Sequence, residues 1–312
     1  LYIDKNEVLS LIKEDTRFET VDLHLVHPGD STRLMNVVDA VEPRYKVSGP
    51  GAVFPGLLNK PTGAGEGRTH RLGGVVVVET SIPVFNEPTF WRDSILDMTG
   101  LGAAYNQFGN LLKIVMELRP KSEFTSEETA RLKLKDYNRG PLWVQDYHRG
   151  VRVAALKLAS YLAETTKYLT PDSVRTYELT PVTSNLPKVA YSFQLHQHLV
   201  YGLNLGWVPT ILHPNELADG IIVDPYNPPA GMRDSMYTHQ NHPVVERLYN
   251  SHGKDIDFKG IMLYRAQVRS LVDKERTTDL AANILRLMKV DGVVMTWTGG
   301  GNPGMDIMML AK

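Results

Sequence analysis

The chain has 312 residues, 42% hydrophobic and 22% charged, with a formal net charge of −1. That balance is ordinary for a globular protein and excludes a polybasic nucleic-acid or membrane-surface protein; no apolar run reaches the roughly 20 residues that span a bilayer. Cysteine is absent, which removes disulfides, cysteine-ligated zinc, Fe–S clusters and thiol nucleophiles from this chain.

The first residue is Leu1 rather than Met. Further sequence is therefore expected ahead of it, and a removed targeting segment is compatible with that start. A cytoplasmic location is the default for a cysteine-free chain. Residues 1–120 read as β-rich. Val21–Val26 alternates apolar with polar or charged side chains (VDLHLV), the period of a half-buried strand. Residues 32–47 carry β-branched side chains without a helical period, and 48–74 are dense enough in glycine and proline to predict loops and tight turns. Val75–Val78 reads as a buried strand, 97–110 as a glycine-punctuated loop and Lys113–Leu118 as another strand.

Residues 121–186 are expected to hold a charged linker and one helix. The helix is placed over Asp146–Tyr168, where Val153, Leu156, Tyr161 and Leu162 recur near helical spacing. From 187 to 312 there are five short apolar runs: Lys188–Leu195, Val208–Leu212, Gly220–Val223, Gly260–Tyr264 and Gly292–Trp297. They alternate with helical stretches near 243–252 and 276–289. The predicted fold class is α/β, a β-rich N-terminal region followed by a mainly parallel sheet with flanking helices.

In open α/β sheets, ligands sit beyond the carboxyl ends of the strands. The runs here are followed by His196 and His198, by His213, by Asp224, by Arg265, and by the glycine loop 298–304. The stretch from Asp224 to His242 is a proline-stiffened loop rich in titratable groups, Arg233, Asp234, Ser235, Tyr237, His239 and His242 among them. Its chemistry suits a divalent transition metal held by His196, His198, His213 and His242, with Asp224 and His239 as acid–base groups. A His-x-His pair on a strand places both rings on one face. Against this, no spacing such as HExxH occurs, and unrelated surface histidines account for the pattern as well.

Arg233, Tyr237 and Asn227, with Gly300 and Asn302 of the TGGGNPG loop, are candidate substrate contacts. The glycine loop offers backbone N–H groups to an anion, but it matches neither the dinucleotide nor the P-loop spacing, and a wide turn explains it equally. The motif at 63–70, GAGEGRTH, has no following helix and reads as a plain loop. DKER at 273–276 reads as a solvated helix start.

Several colinear segments carry a family resemblance: HPGDSTR (27–33), VEPRYKVSGPGAVFPG (41–56), GRTH (67–70), DMTGLGAAY (97–105) and LPKVAYSFQL (186–195). PTILHPNELADGII (209–222), NHPVVERLYNSHGKDIDFKG (241–260), DKER (273–276) and GNP (301–303) continue it. Together they resemble the α/β proprotein subunit of component B of the glycine, sarcosine and betaine reductases. The resemblance implies a hetero-oligomer acting on a small amine. In that family the proprotein is cleaved at an internal cysteine, whose residue becomes a pyruvoyl group proposed to condense with the substrate amine. A partner selenoprotein then cleaves the C–N bond reductively.

The cysteine's place falls at about Asn227, followed by Pro228. Asparagine cannot form a pyruvoyl group by that elimination, and Ser235 lies well past the point. The expectation is an uncleaved chain without a pyruvoyl group, binding a small nitrogen-containing substrate. A metal would serve as Lewis acid or hydroxide source for cleavage of a C–N or related bond. The alternative is a non-catalytic structural or substrate-binding subunit, because a scaffold can persist without its chemistry. Both expectations include an oligomer and a second, catalytic subunit.

Overall fold

The computed structural model describes residues 3–35, 37–49, 58, 63–81, 96–97, 99–122, 142–195, 199–203, 206, 208–223, 234–265, 270–297 and 301–312. The chain forms two compact units. The first comprises Leu1–Gly63, Gly67–Thr170 and Asp224–Tyr237; the second comprises Ala64–Glu66, Pro171–Val223 and Thr238–Lys312. Among the described residues no helix is long and apolar enough to cross a membrane.

The first unit begins with helix α1 (Lys5–Lys13), capped by Asp4, whose carboxylate accepts from the N–H groups of Asn6 and Glu7. Its strands are β1 (Phe18–Val26), β2 (Arg33–Leu34), β3 (Val37–Val41), β4 (Arg44–Ser48), β5 (Arg68–Arg71), β6 (Val75–Ser81), β7 (Leu96–Asp97) and β8 (Leu112–Pro120). Helix α2 (Gly100–Tyr105) and the long helix α3 (Leu142–Glu164) complete it. A four-stranded sheet has the order β1-β8-β6-β3, in which only the β6–β8 pair is parallel; β2–β7 and β4–β5 are two-stranded ribbons. One face buries Val26, Val37, Val76, Val78, Phe108 and Val115. Helix α3 buries Tyr147, Val151, Ala155, Leu158 and Leu162; of the four positions expected to mark its period, Leu156 and Leu162 are buried while Val153 and Tyr161 are partly exposed, and the helix runs over Leu142–Glu164 rather than Asp146–Tyr168.

The β-rich reading holds, with differences of local origin. Residues 97–110 are not all loop, because Gly100–Tyr105 closes into α2 despite its glycines. The GAGEGRTH motif is a turn into β5, and its glycines serve packing. A Cβ on Gly67 would lie 2.0 Å from the Ser48 carbonyl oxygen, and φ there is +72°, so only glycine fits. The Gly65 N–H donates to Asp219 at 2.6 Å within the second unit, so that donor is already taken by a carboxylate.

The second unit contains β9 (Lys188–Leu195), β10 (Leu199–Val200), β11 (Thr210–Leu212), α4 (Pro214–Ala218), β12 (Ile222–Val223), most of α5 (Met236–Gln240) and α6 (Pro243–Ser251). Then come β13 (Asp257–Arg265), α7 (Leu271–Leu287), β14 (Gly292–Trp297) and α8 (Asn302–Leu310). Its sheet has the order β11-β13-β9-β14, with β9 parallel to both neighbours and β11 antiparallel at the edge. On one face Tyr191, Phe193, Leu195, Ile261 and Leu263 pack against Leu217, Ile222, Val245 and Leu248. On the other, Ala190, Met262 and Tyr264 pack against Ala281 and Leu285 of α7. Helices thus cover both faces, as a parallel core requires.

Two of the five predicted runs depart from the parallel arrangement. Thr210–Leu212 is antiparallel, and Ile222–Val223 pairs with Leu199–Val200 in a separate ribbon. Ile221 and Ile222 are buried in the core over the sheet face, and an apolar run signals burial without fixing direction or partner. Strand β13 starts earlier than Gly260, because a register shift between Phe258 and Ile261, with Gly260 at φ 113°, lets Asp257 and Phe258 rejoin the ladder. Helix α7 starts at Leu271, capped by Ser270. DKER therefore lies inside it, and Lys274 is not solvated but buried and paired with Asp306 of α8 at 2.7 Å.

Candidate functional site

Two polar clusters, one in each unit, stand out from their apolar surroundings. In the first unit, Asp39 and Glu79 sit directly opposite one another on β3 and β6. Both are buried, and like charges across a ladder repel. Arg152 of α3, also buried, bridges them, bonding Asp39 and, at 2.9 Å, Glu79 through the same Nη1. The other Asp39 oxygen accepts from the N–H of Met236 at 2.9 Å, so this carboxylate fixes the first residue of α5.

A second group of charges lies nearby in the sequence. Glu42 is buried and binds Arg44 and Arg71. Burial alone would raise its carboxyl, but the two guanidinium groups outweigh it and hold Glu42 below the usual carboxylate range. Tyr237 packs edge-on against Phe108, centroids 5.2 Å apart. Its phenol is pushed up by burial and then by the charge of Glu42, with Arg71 and Arg44 opposing. Asp234, two residues before Met236, is raised by burial.

In the second unit, His239 and His242 follow on the same stretch of chain. His239 is buried with its ring 5.5 Å from that of Phe193. His242 is 8% exposed, its ring edge-on to Phe193 at 5.0 Å and to Tyr191 at 5.2 Å. His242 Nε2 lies 3.0 Å from the Tyr191 hydroxyl, which also bonds Thr296 Oγ1 on the neighbouring strand. Among the described residues, His242 Nδ1 is buried without a hydrogen-bond partner. Burial pushes the imidazole down to about 4, so the ring is neutral at neutral pH.

The predicted metal ligands separate in role. His213 is an exposed helix N-cap: its Nδ1 accepts from the Asn215 N–H at 3.2 Å while Glu216 accepts from the His213 N–H at 2.6 Å, a complete capping box. His242 also precedes a proline and starts a helix, yet its side chain caps nothing. One His-Pro pair is thus structural, and the other places a neutral imidazole against the sheet. Among the described residues, no group of three or more His, Asp or Glu is arranged to hold a metal ion. His196, His198, Asp224, Asn227, Arg233 and Gly300 lie outside the described residues. Asn302 is the exposed first residue of α8, and its carbonyl lies 3.4 Å from Lys274 Nζ.

Sequence reasoning missed Tyr191 and Thr296, which hold His242, and the Asp39–Glu79–Arg152 cluster. Charges inside the apolar runs VVDAV and VVVVE were the available signal, because an ionised group in a buried strand needs a partner.

The family of glycine/sarcosine/betaine reductase component B subunits matches residues 1–312. The chain is 34% identical to the glycine reductase complex component B subunits alpha and beta of Acetoanaerobium sticklandii, over 100% of this chain and 70% of that protein. It is 32% identical to the sarcosine reductase complex component B subunit alpha of Peptoclostridium acidaminophilum, over 100% of this chain and 70% of the relative. With the betaine reductase complex component B subunit alpha of the same organism it shares 33% identity over 99% of this chain and 69% of the relative. No solved structure matches the chain. A match along the whole length, with identity above 30% to relatives named for three substrates, places the chain in the component B subunit family of the glycine, sarcosine and betaine reductases.

Proposed function

We propose that this chain is the substrate-binding subunit of a reductase complex, acting uncleaved on a small amine that bears at least one N–H. One observation carries the reading: His242 is neutral, released from helix capping, and keeps Nδ1 buried and unpartnered among the described residues. An unsatisfied buried polar atom costs about 1–3 kcal/mol, and a site that accepts a ligand there recovers that cost. Nδ1 as acceptor binds an N–H donor, so a quaternary ammonium group is rejected.

The absence of cysteine supports the uncleaved state. So does Ser235, which is 3% exposed and directly precedes the Met236 N–H that Asp39 holds. On this reading the chain carries no pyruvoyl group. His239 is proposed as the acid–base group beside the substrate, and reductive cleavage is assigned to a partner subunit. His242 is given to the substrate rather than to a metal because Tyr191 engages its Nε2 and aromatic rings flank it.

Calorimetric titration of the full chain with glycine, sarcosine and betaine tests the reading. Glycine and sarcosine carry N–H donors and should bind; betaine carries none and should not. His242→Phe should abolish binding. Betaine binding as tightly as glycine, or undiminished binding by His242→Phe, overturns it.

A further inference from the structure

The Tyr191 hydroxyl lies between two partners, His242 Nε2 at 3.0 Å and Thr296 Oγ1. A hydroxyl carries one proton, so two arrangements fill the row. In the first, Thr296 donates to Tyr191, Tyr191 donates to Nε2, and the imidazole proton sits on Nδ1. In the second, Nε2–H donates to Tyr191, Tyr191 donates to Thr296, and Nδ1 presents a lone pair. The heavy atoms are the same in both; only the hydrogens move.

The two ends of the row differ in access. Tyr191 is 0% exposed and His242 Nδ1 is buried without a partner among the described residues. Thr296 is partly exposed on β14, one of the two edge strands of its sheet. Orientation is fixed by packing, since the Tyr191 and Phe193 rings stack at 5.5 Å and His242 stands edge-on to both. We propose that Thr296 and Tyr191 form a proton relay that switches His242 Nδ1 between acceptor and donor and carries a proton taken up at Nδ1 out to solvent.

The step balances. A ligand N–H bond breaks as Nδ1–H forms; Nε2–H breaks as a Tyr191 O–H forms; the original Tyr191 proton passes to Thr296; and the original Thr296 proton passes to water. The ligand loses one proton and solvent gains one, while the imidazole stays neutral throughout. A neutral path matters here because burial disfavours the imidazolium form. Tyr191 and Thr296 act through His242 and are positioning residues. The assignment of a ligand to Nδ1 rests on the reading above; the relay itself does not.

The test is the 15N spectrum of the full chain labelled at histidine, with the His242 signals identified by their loss in His242→Phe. In the native protein the two ring nitrogens should show shifts averaged between the limiting tautomers. Thr296→Val removes the hydroxyl that competes with Nε2 for the Tyr191 proton, so Tyr191 donates to Nε2 and the signals should collapse to the Nδ1–H form. Thr296→Ser keeps the hydroxyl and should restore averaging. Tyr191→Phe breaks the row at its centre and should also end averaging, which serves if Thr296→Val does not fold. A native ring fixed in one tautomer, or averaging that survives Thr296→Val or Tyr191→Phe, overturns the relay. Amine binding without averaging sinks the relay alone; averaging without amine binding sinks only the ligand assignment.

Discussion

His242→Phe should leave the second unit within about 1 kcal/mol of its native stability, although the replaced residue is buried and hydrogen-bonded. The substitution gives up one hydrogen bond to Tyr191 at 3.0 Å, a loss of about 1 kcal/mol. Tyr191 keeps Thr296 as a partner. Fitting the larger ring between Tyr191 and Phe193 costs about 1 kcal/mol. Against these, removing the unpartnered Nδ1 recovers about 1–3 kcal/mol, and the sum is near zero. His213→Ala is the control. It removes the bond to the Asn215 N–H from an exposed side chain, leaves no cavity, and should cost about 1 kcal/mol as a lost cap. Native-state hydrogen exchange at the β9 amides reads the second unit by itself. A loss of more than about 3 kcal/mol in His242→Phe would show that Nδ1 has a native partner, and the site argument would fall with it.

Arg152→Met removes the guanidinium that bridges Asp39 and Glu79 and should cost the first unit about 3–5 kcal/mol in urea unfolding; a loss below about 1 kcal/mol would show that the cluster is not electrostatically strained. Gly67→Ala forces a Cβ to 2.0 Å from the Ser48 carbonyl at φ +72° and should lower stability by about 2–4 kcal/mol, with native stability refuting the close approach of Gly67 to Ser48. Glu42 titrates below its ordinary range in the fold, so its stabilisation is present above the unfolded value and is lost as pH falls through the lower folded value. Acid unfolding of Glu42→Gln should therefore show a shallower pH dependence below about 4.5, and an unchanged slope contradicts the ion-pair account. Denaturing mass spectrometry should give one polypeptide crossing residues 224–237, and two fragments with a carbonyl-reactive terminus would refute the uncleaved reading.

Strand identity was legible where apolar runs were long. Lys188–Leu195 and Gly292–Trp297 lie where the runs place them, and Val75 and Leu112 open strands whose burial follows from their composition. Direction was not legible for short runs: Thr210–Leu212 and Ile222–Val223 are as apolar as their neighbours, and their pairing depends on contacts remote in sequence. Lys274 looked solvated because its partner Asp306 is 32 positions away. The Asp39–Arg152 pair spans 113 positions, and no local pattern links such residues. What the sequence did offer was the anomaly of an acid inside a valine run, which signals that a partner exists without naming it.

The sequence itself distinguishes the two His-Pro pairs. A capping box needs an acceptor side chain at the third helical position. After His213 and Pro214 that position is Glu216, and the box forms. After His242 and Pro243 it is Val245; the glutamate comes one residue later, at Glu246. Shifted by one position, Glu246 turns to Arg175 instead, and the His242 backbone has no reciprocal partner to hold its side chain in a cap. The imidazole is then free to turn inward to Tyr191 and accept burial of Nδ1. A single step in the spacing of a carboxylate thus separates a helix cap from a buried histidine that caps nothing.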